Sequence, residues 1–139
     1  MQRSGSLDWL EEMIPDQGRK KQAVYRIGDL ARDFNLTLRT LRFYEDCGLL
    51  RPARQKTARL YSPADRARLK VVLMARSAGF PVAEIKELMA LYDKSALGES
   101  QEAAFLDRFT AQLGKLRQQR AEIDQSIGML EKAVGALRG

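Results

Sequence analysis

Residues 102–138 carry the pattern that most restricts what this chain can fold into. Apolar side chains stand at Leu106, Phe109, Leu113, Leu116, Ile123, Ile127, Leu130, Val134 and Leu137 in steps of three and four, with Arg120 in the seam between Leu116 and Ile123. A seven-residue repeat of two apolar positions is the mark of a coiled coil, because only a supercoil keeps such a seam on one side. A helix of this length reaches roughly 55 Å at about 1.5 Å per residue, and the rest of the chain is too small to cover it. The seam therefore predicts a homodimer, with Phe109, Leu113, Leu116, Ile123, Ile127, Leu130, Val134 and Leu137 in the interface. Arg120 either fixes the register or faces solvent where two helices diverge. A long helix packed on its own domain is the other reading of the same pattern.

Charge is distributed as unevenly as hydrophobicity. The chain carries a formal net charge of +6, yet residues 39–76 alone hold ten basic and three acidic side chains, a net of +7. Residues 1–38 are balanced and residues 80–139 have a net charge of −1. Positive potential concentrated in one segment fits a polyanionic partner better than an evenly solvated surface does. One cysteine, Cys47, and no histidine are present. Within one subunit this excludes a disulfide, a Cys/His metal site and any Ser-His-Asp or Cys-His catalytic arrangement. Carboxylates show no calcium-loop spacing. No metal, no cofactor and no enzymatic activity are expected. A lone thiol fits a reducing compartment. No apolar run has the length of a signal peptide or a membrane span, so a cytoplasmic location without membrane contact is expected.

Residues 1–24 read as a leader. SLDWLEEMI places Leu7, Leu10 and Ile14 at helical spacing, either a short amphipathic helix or part of a disordered tail. Residues 25–50 predict two short helices with a tight junction. Ile27, Leu30, Ala31 and Phe34 line the first. Asn35 suits the turn, and the Thr37 hydroxyl can cap the second helix. Leu38 and Leu41 are expected to face inward. Gly48 is placed to end the helix in a left-handed conformation, so that Leu49 and Leu50 return to the core. Residues 51–61 are too short and too charged for a helix and predict a small basic hairpin turning at Gln55–Thr57. Ser62, Pro63 and Asp65 signal the start of a third helix. Its expected stripe is Leu69, Val72, Leu73 and Arg76 with Met74 alongside, and Gly79 closes it. Pro81 opens a fourth helix with Val82, Ile85, Leu88 and Met89 buried. KSALGES is a polar loop.

The fold class is thus mainly α, a winged helix-turn-helix with a β-hairpin wing and a long C-terminal helix. The expected divisions are a leader at 1–24, the winged domain at 25–92, a linker at 93–101 and the dimerisation helix at 102–139.

On the second helix, Arg39, Arg42, Phe43 and Asp46 share a face by i, i+3 and i+4 spacing. Two guanidiniums and an aromatic on an exposed face suit a DNA major groove, since arginine reads guanine bidentately or grips phosphate. Thr37 and Thr40 can bond phosphate or base edges. Phe43 turned inward as core is an open alternative. Glu45 reads as a structural partner for a nearby arginine or as a base reader. Arg66, Arg68 and Lys70 are expected to be mostly solvated. Cys47 reads as a small hydrophobe near the glycine turn or as a thiol sensor, though a helix C-terminus disfavours a thiolate.

YRIGDLARDFNLTLRTLRFYEDCGLLRPAR, RLYSPAD and LKVVLMARSAGFPVAEIKELM together resemble the N-terminal DNA-binding half of the MerR family of transcription regulators, over roughly residues 25–92. The terminal helix is similar to that family's antiparallel dimerisation coiled coil. The resemblance implies DNA contacts from Arg39, Thr40, Arg42, Phe43 and Tyr44, with wing residues Arg54, Arg59 and Tyr61 holding the flanking backbone. Many relatives have tyrosine where this chain has Phe43, which removes a phosphate bond worth about 1 kcal/mol. The resemblance further implies a homodimer on an inverted repeat inside an over-long promoter spacer. An effector would let it bend and untwist the DNA and realign the promoter for RNA polymerase.

The cysteines that metal- and redox-sensing relatives place around the long helix are missing, which disfavours thiolate metal sensing and an iron–sulfur cluster. A small organic effector near Leu91, Tyr92, Phe105 and Phe109 is the expectation, against a reading of these residues as plain core. The charged-apolar leader and cysteine-free tail are similar to the subgroup that controls branched-chain amino-acid and acyl-coenzyme A catabolism. Two competing readings remain: an effector-independent architectural or excisionase-like DNA-binding protein, and a protein-interaction adaptor acting through its coiled coil.

Overall fold

A computed structural model describes residues 9, 12–14, 22–55, 58–94 and 99–139. In chain order the elements are helices α1 (Ile27–Asp33) and α2 (Leu38–Asp46), strands β1 (Ala53–Gln55) and β2 (Ala58–Leu60), and helices α3 (Pro63–Ser77), α4 (Val82–Asp93) and α5 (Glu99–Arg138). They fall into two compact units, Met1–Glu102 and Ala103–Gly139. Among the described residues no helix is long and apolar enough to cross a membrane.

In the first unit each element begins and ends where local chemistry directs. The Asp29 carboxylate accepts the Arg26 backbone N–H at 2.9 Å, closing the first turn of α1 and placing negative charge at the positive end of the helix dipole. Asn35, at φ 53°, turns the chain between α1 and α2; asparagine tolerates this left-handed region better than most residues. Thr37 caps α2, its hydroxyl accepting the Thr40 N–H at 3.0 Å. Gly48, at φ 77°, lets the Leu49 N–H reach the Tyr44 carbonyl at 2.9 Å. The chain then doubles back and buries Leu49 and Leu50. Ser62 and Asp65 cap α3 reciprocally at 3.0 and 2.8 Å, with Pro63 at the first helical position.

The two strands pair antiparallel, with Ala53 opposite Leu60, Arg54 opposite Arg59 and Gln55 opposite Ala58. Turn residues 56 and 57 lie outside the described set. Beyond the hairpin, Tyr25 and Tyr61 exchange two backbone hydrogen bonds of 2.8 Å. This bridge ties the start of the winged region to the end of the wing.

The core is built around α3, which packs on α4, while α1 packs on α2. Leu69 and Val71 through Ala75 are all buried. Here the expected stripe needs correction. Val71 and Ala75 join the core and Arg76 is exposed. A helix surrounded by neighbours is covered on more than one face, which a single 3–4 stripe does not describe. Leu38, expected inward, is 41% exposed. It opens α2, where the helix has just begun to leave the turn, and it lies off the axis on which Leu41 and Tyr44 are buried. Val82 is half-buried. The expected leader helix and the KSALGES loop fall largely outside the described residues.

The second unit is the body of α5, whose 40 residues begin three residues before the predicted start. At about 1.5 Å per residue the helix is roughly 60 Å long. Leu106, Leu113, Leu116, Ile123, Ile127, Leu130, Val134 and Leu137 are exposed along it. Phe109 is half-buried, its ring 5.5 Å from that of Phe105.

Candidate nucleic-acid interface

Helix α2 presents two unlike faces. On the inner one, Leu41 and Tyr44 are buried. The Tyr44 hydroxyl accepts a hydrogen bond from the Arg76 guanidinium on α3 at 2.9 Å. Glu45, its side chain 9% exposed, accepts from Arg59 Nε on β2 at 2.7 Å and from the Tyr61 hydroxyl just past β2. Burial first, then the hydrogen bond to Glu45 and the charge of that carboxylate, push the Tyr61 phenol far above its ordinary value of 10.0. Tyr61 is therefore a neutral donor, and the Glu45 carboxylate is held by two partners. A buried carboxylate needs this satisfaction, since an unpaired one is costly. One anchor thus runs from α2 to α3 and another from α2 to the hairpin, so α2 and the hairpin hold a fixed relation.

The outer face carries Arg39, Arg42, Phe43 and Asp46, all exposed. Phe43 is 48% exposed, and its ring lies 6.1 Å from that of Tyr44 in a tilted arrangement. At the start of the helix the Thr37 and Thr40 hydroxyls are 2.9 Å apart, the Thr37 oxygen also serving as the cap. On the wing, Arg54 is exposed opposite Arg59. Directly opposed cations repel across a strand pair, and Glu45 offsets this by taking up Arg59. Arg51 is exposed as well.

The middle segment's positive charge is thus divided by the fold. Arg66 and Arg68 were expected to be mostly solvated, and the structure corrects this. The Arg66 side chain is 13% exposed, its guanidinium 4.8 Å from the Phe34 ring centre and 5.3 Å from that of Tyr25, with Asp33 at 3.4 Å. Arg68 is 12% exposed; its Nε donates to the Leu49 carbonyl at 2.7 Å, and its guanidinium pairs with Asp93. Both fasten the core together. Lys70 is half-buried. Among the described residues of that segment, the exposed cations are Arg39 and Arg42 on α2, Arg51 and Arg54 at the wing, and Arg76 on α3, which is tied to the Tyr44 hydroxyl. Cys47 is half-buried at the C-cap of α2, its N–H bonded to the Phe43 carbonyl at 2.9 Å.

Of the residues expected around an effector, Leu91 and Tyr92 are half-buried on α4 in the first unit. Phe105 and Phe109 lie side by side on α5 in the second, their rings tilted by 36°. Among the described residues no group of three or more His, Cys, Asp or Glu is arranged to hold a metal ion.

This arrangement of helix, turn, helix and basic wing has close relatives. The models of the MerR HTH family regulatory proteins and of the MerR DNA-binding region match residues 25–91 and 66–133. The transcriptional regulator HmrR of Rhizobium leguminosarum bv. viciae is 33% identical over 103 residues, which cover 73% of this chain and 71% of that protein. The chain belongs to the MerR family. The transcriptional activator TipA of Streptomyces coelicolor is 35% identical over 105 residues, 74% of this chain but 41% of TipA, so the chain spans about two fifths of that relative's length. The N-terminal portion of the Bacillus subtilis multidrug transporter activator, MtaN, superposes with a TM-score of 0.62 at 27% identity, covering 79% of this chain and 97% of that one. These MerR proteins are transcription regulators, not enzymes.

Proposed function

We propose that the protein is a homodimeric, sequence-specific regulator of transcription that lays α2 into the major groove of promoter DNA. One observation carries the reading: α2 turns its carboxylate Glu45 and its hydroxyl-bearing Tyr44 inward while exposing Arg39, Arg42 and Phe43. A helix meant only to pack would not leave two guanidiniums outward on the segment where positive charge is densest. Arg39 and Arg42 are the base or phosphate readers. Arg54, Thr37 and Thr40 hold the backbone. Tyr44, Arg59 and Tyr61 complete the proposed contact set, with the Tyr44 and Tyr61 hydroxyls and Arg59 Nε also tied inside the head.

The exposed apolar seam of α5 supports the homodimer, in which Phe109 through Leu137 pack on a second copy. Two heads related by a two-fold axis then read an inverted repeat. On a promoter whose spacer is too long, such a dimer switches transcription by bending and untwisting the DNA for RNA polymerase, in response to a small organic effector. A small ligand from branched-chain or acyl-coenzyme A catabolism is the proposed effector. The chain acts in the cytoplasm. With one cysteine and no histidine in the sequence, thiolate metal sensing is not part of the proposal.

Genomic fragments retained by the purified protein at moderate salt, then footprinted, test this. The expected result is an inverted repeat between promoter elements. Scattered binding without a repeat would instead support an architectural role.

A further inference from the structure

Two apolar side chains on α2 have no place in the core. Leu38 is 41% exposed and Phe43 is 48% exposed. Buried Leu41 and Tyr44 show which way α2 faces the head. At about 100° per residue, Arg39 then points almost directly away from it, Phe43 falls on one side of Arg39, and Arg42 and then Leu38 fall on the other. The two apolar groups therefore bracket the two guanidiniums. Exposed leucine and phenylalanine side by side with arginine gain nothing from water. Neither can hydrogen-bond phosphate, because neither has a donor. In a major groove one base feature is apolar, the 5-methyl group of thymine.

We infer that Leu38 and Phe43 read thymine methyl groups on either side of the base pair that the arginines contact. The inference rests on the placement of α2 in the major groove proposed above. It assigns to this chain's phenylalanine a task that a tyrosine, drawn to phosphate by its hydroxyl, would perform less well. Asp46, exposed on the same face, adds to the argument. A carboxylate there repels phosphate and turns the face toward base edges. The footprinted sites are then expected to hold thymines at fixed positions flanking a guanine in each half-site.

The test uses the full chain and the genomic fragment it protects, synthesised once with thymine and once with uracil throughout the protected half-sites. Uracil removes only the methyl group. The wild-type protein should bind the uracil fragment about fourfold more weakly per contacted methyl, the worth of one buried CH₂-sized group. Leu38→Ala and Phe43→Ala should each bind the thymine fragment more weakly and lose part of the thymine preference. Both side chains are exposed, so the fold should survive both changes. Equal wild-type affinity for the two fragments would overturn the inference. So would two variants that keep the full preference. Failure to retain any genomic fragment strikes a different claim, the DNA-binding reading itself.

Discussion

The head and the long helix solve opposite problems. In the head, Glu45 reaches fourteen residues along the chain to Arg59, Arg66 reaches Asp33, and Arg68 reaches Asp93. Its large apolar side chains are mostly covered, with Leu38 and Phe43 among the exceptions. On α5, Gln118 bonds Glu122 and Ser126 bonds the Glu122 carbonyl, each four residues away. From Leu113 onward its large apolar residues stand open to solvent, Leu137 at 88%. The head finishes its folding within one chain. From Leu113 onward helix α5 exposes the pattern of a core, which a second helix would cover in the proposed homodimer.

The largest expected effect breaks the α5 side. Ile123→Asp places a carboxylate in the seam, where burial costs several kcal/mol. Sedimentation should show a monomer while the near-ultraviolet signature of the head stays intact. A variant that still sediments as a dimer would mean that the interface lies elsewhere.

Next comes the head. Glu45→Ala strips the partner from Arg59 and Tyr61 and should cost about 2–3 kcal/mol in urea unfolding, as expected for charge-assisted hydrogen bonds. Dimerisation should be unchanged, and a shift in the monomer–dimer equilibrium would mean that the head and α5 are not independent. The same network gives a pH signature. The Tyr61 phenol is raised above 10.0 in the folded state. Its contribution is therefore fully present below about pH 10 and is lost as the unfolded chain ionises above that. Stability should fall through the alkaline range, and Tyr61→Phe should flatten that fall. An unchanged slope would detach Tyr61 from it.

Smaller effects come from glycines in the two regions. A Cβ at either Gly48 or Gly128 would meet nothing within 4 Å. Gly48→Ala should nonetheless lose about 1–2 kcal/mol, because φ is 77° and an L side chain resists that conformation. Gly128→Ala, inside a helix, should gain roughly 0.5–1 kcal/mol. Thermal melts of the two variants should move in opposite directions. A loss at Gly128 would show that a partner helix approaches there more closely than a two-stranded coil requires.

The same division explains what could be read in advance. Signals carried by neighbours in sequence were legible: the Thr37 and Ser62 caps, the Asn35 turn, the Gly48 stop and the period of α5. Signals that depend on two distant segments meeting were not. Nothing near Arg66 or Arg68 in the sequence announces Asp33 or Asp93, so both looked solvated. Glu45 was legible only as a choice between pairing with an arginine and reading a base, and the approach of β2 decides for pairing. Leu38 fits an apolar pattern but sits at the first position of α2, where periodicity cannot tell inward from outward. Phe43 was legible as a choice between the outer face and the core, and it stands 48% exposed on the outer face.

The central claim is that the exposed arginine face of α2 binds DNA. Its most direct test is the salt dependence of affinity for a footprinted fragment, measured for the wild-type protein and for Arg42→Ala. If about five phosphates per subunit are neutralised, log K should fall with log salt at a slope near −0.9 per phosphate. Arg42→Ala should weaken binding by roughly 1–3 kcal/mol. A flat salt response, with Arg42→Ala bound as tightly as wild type, would contradict the account and leave the coiled coil as the protein's working surface.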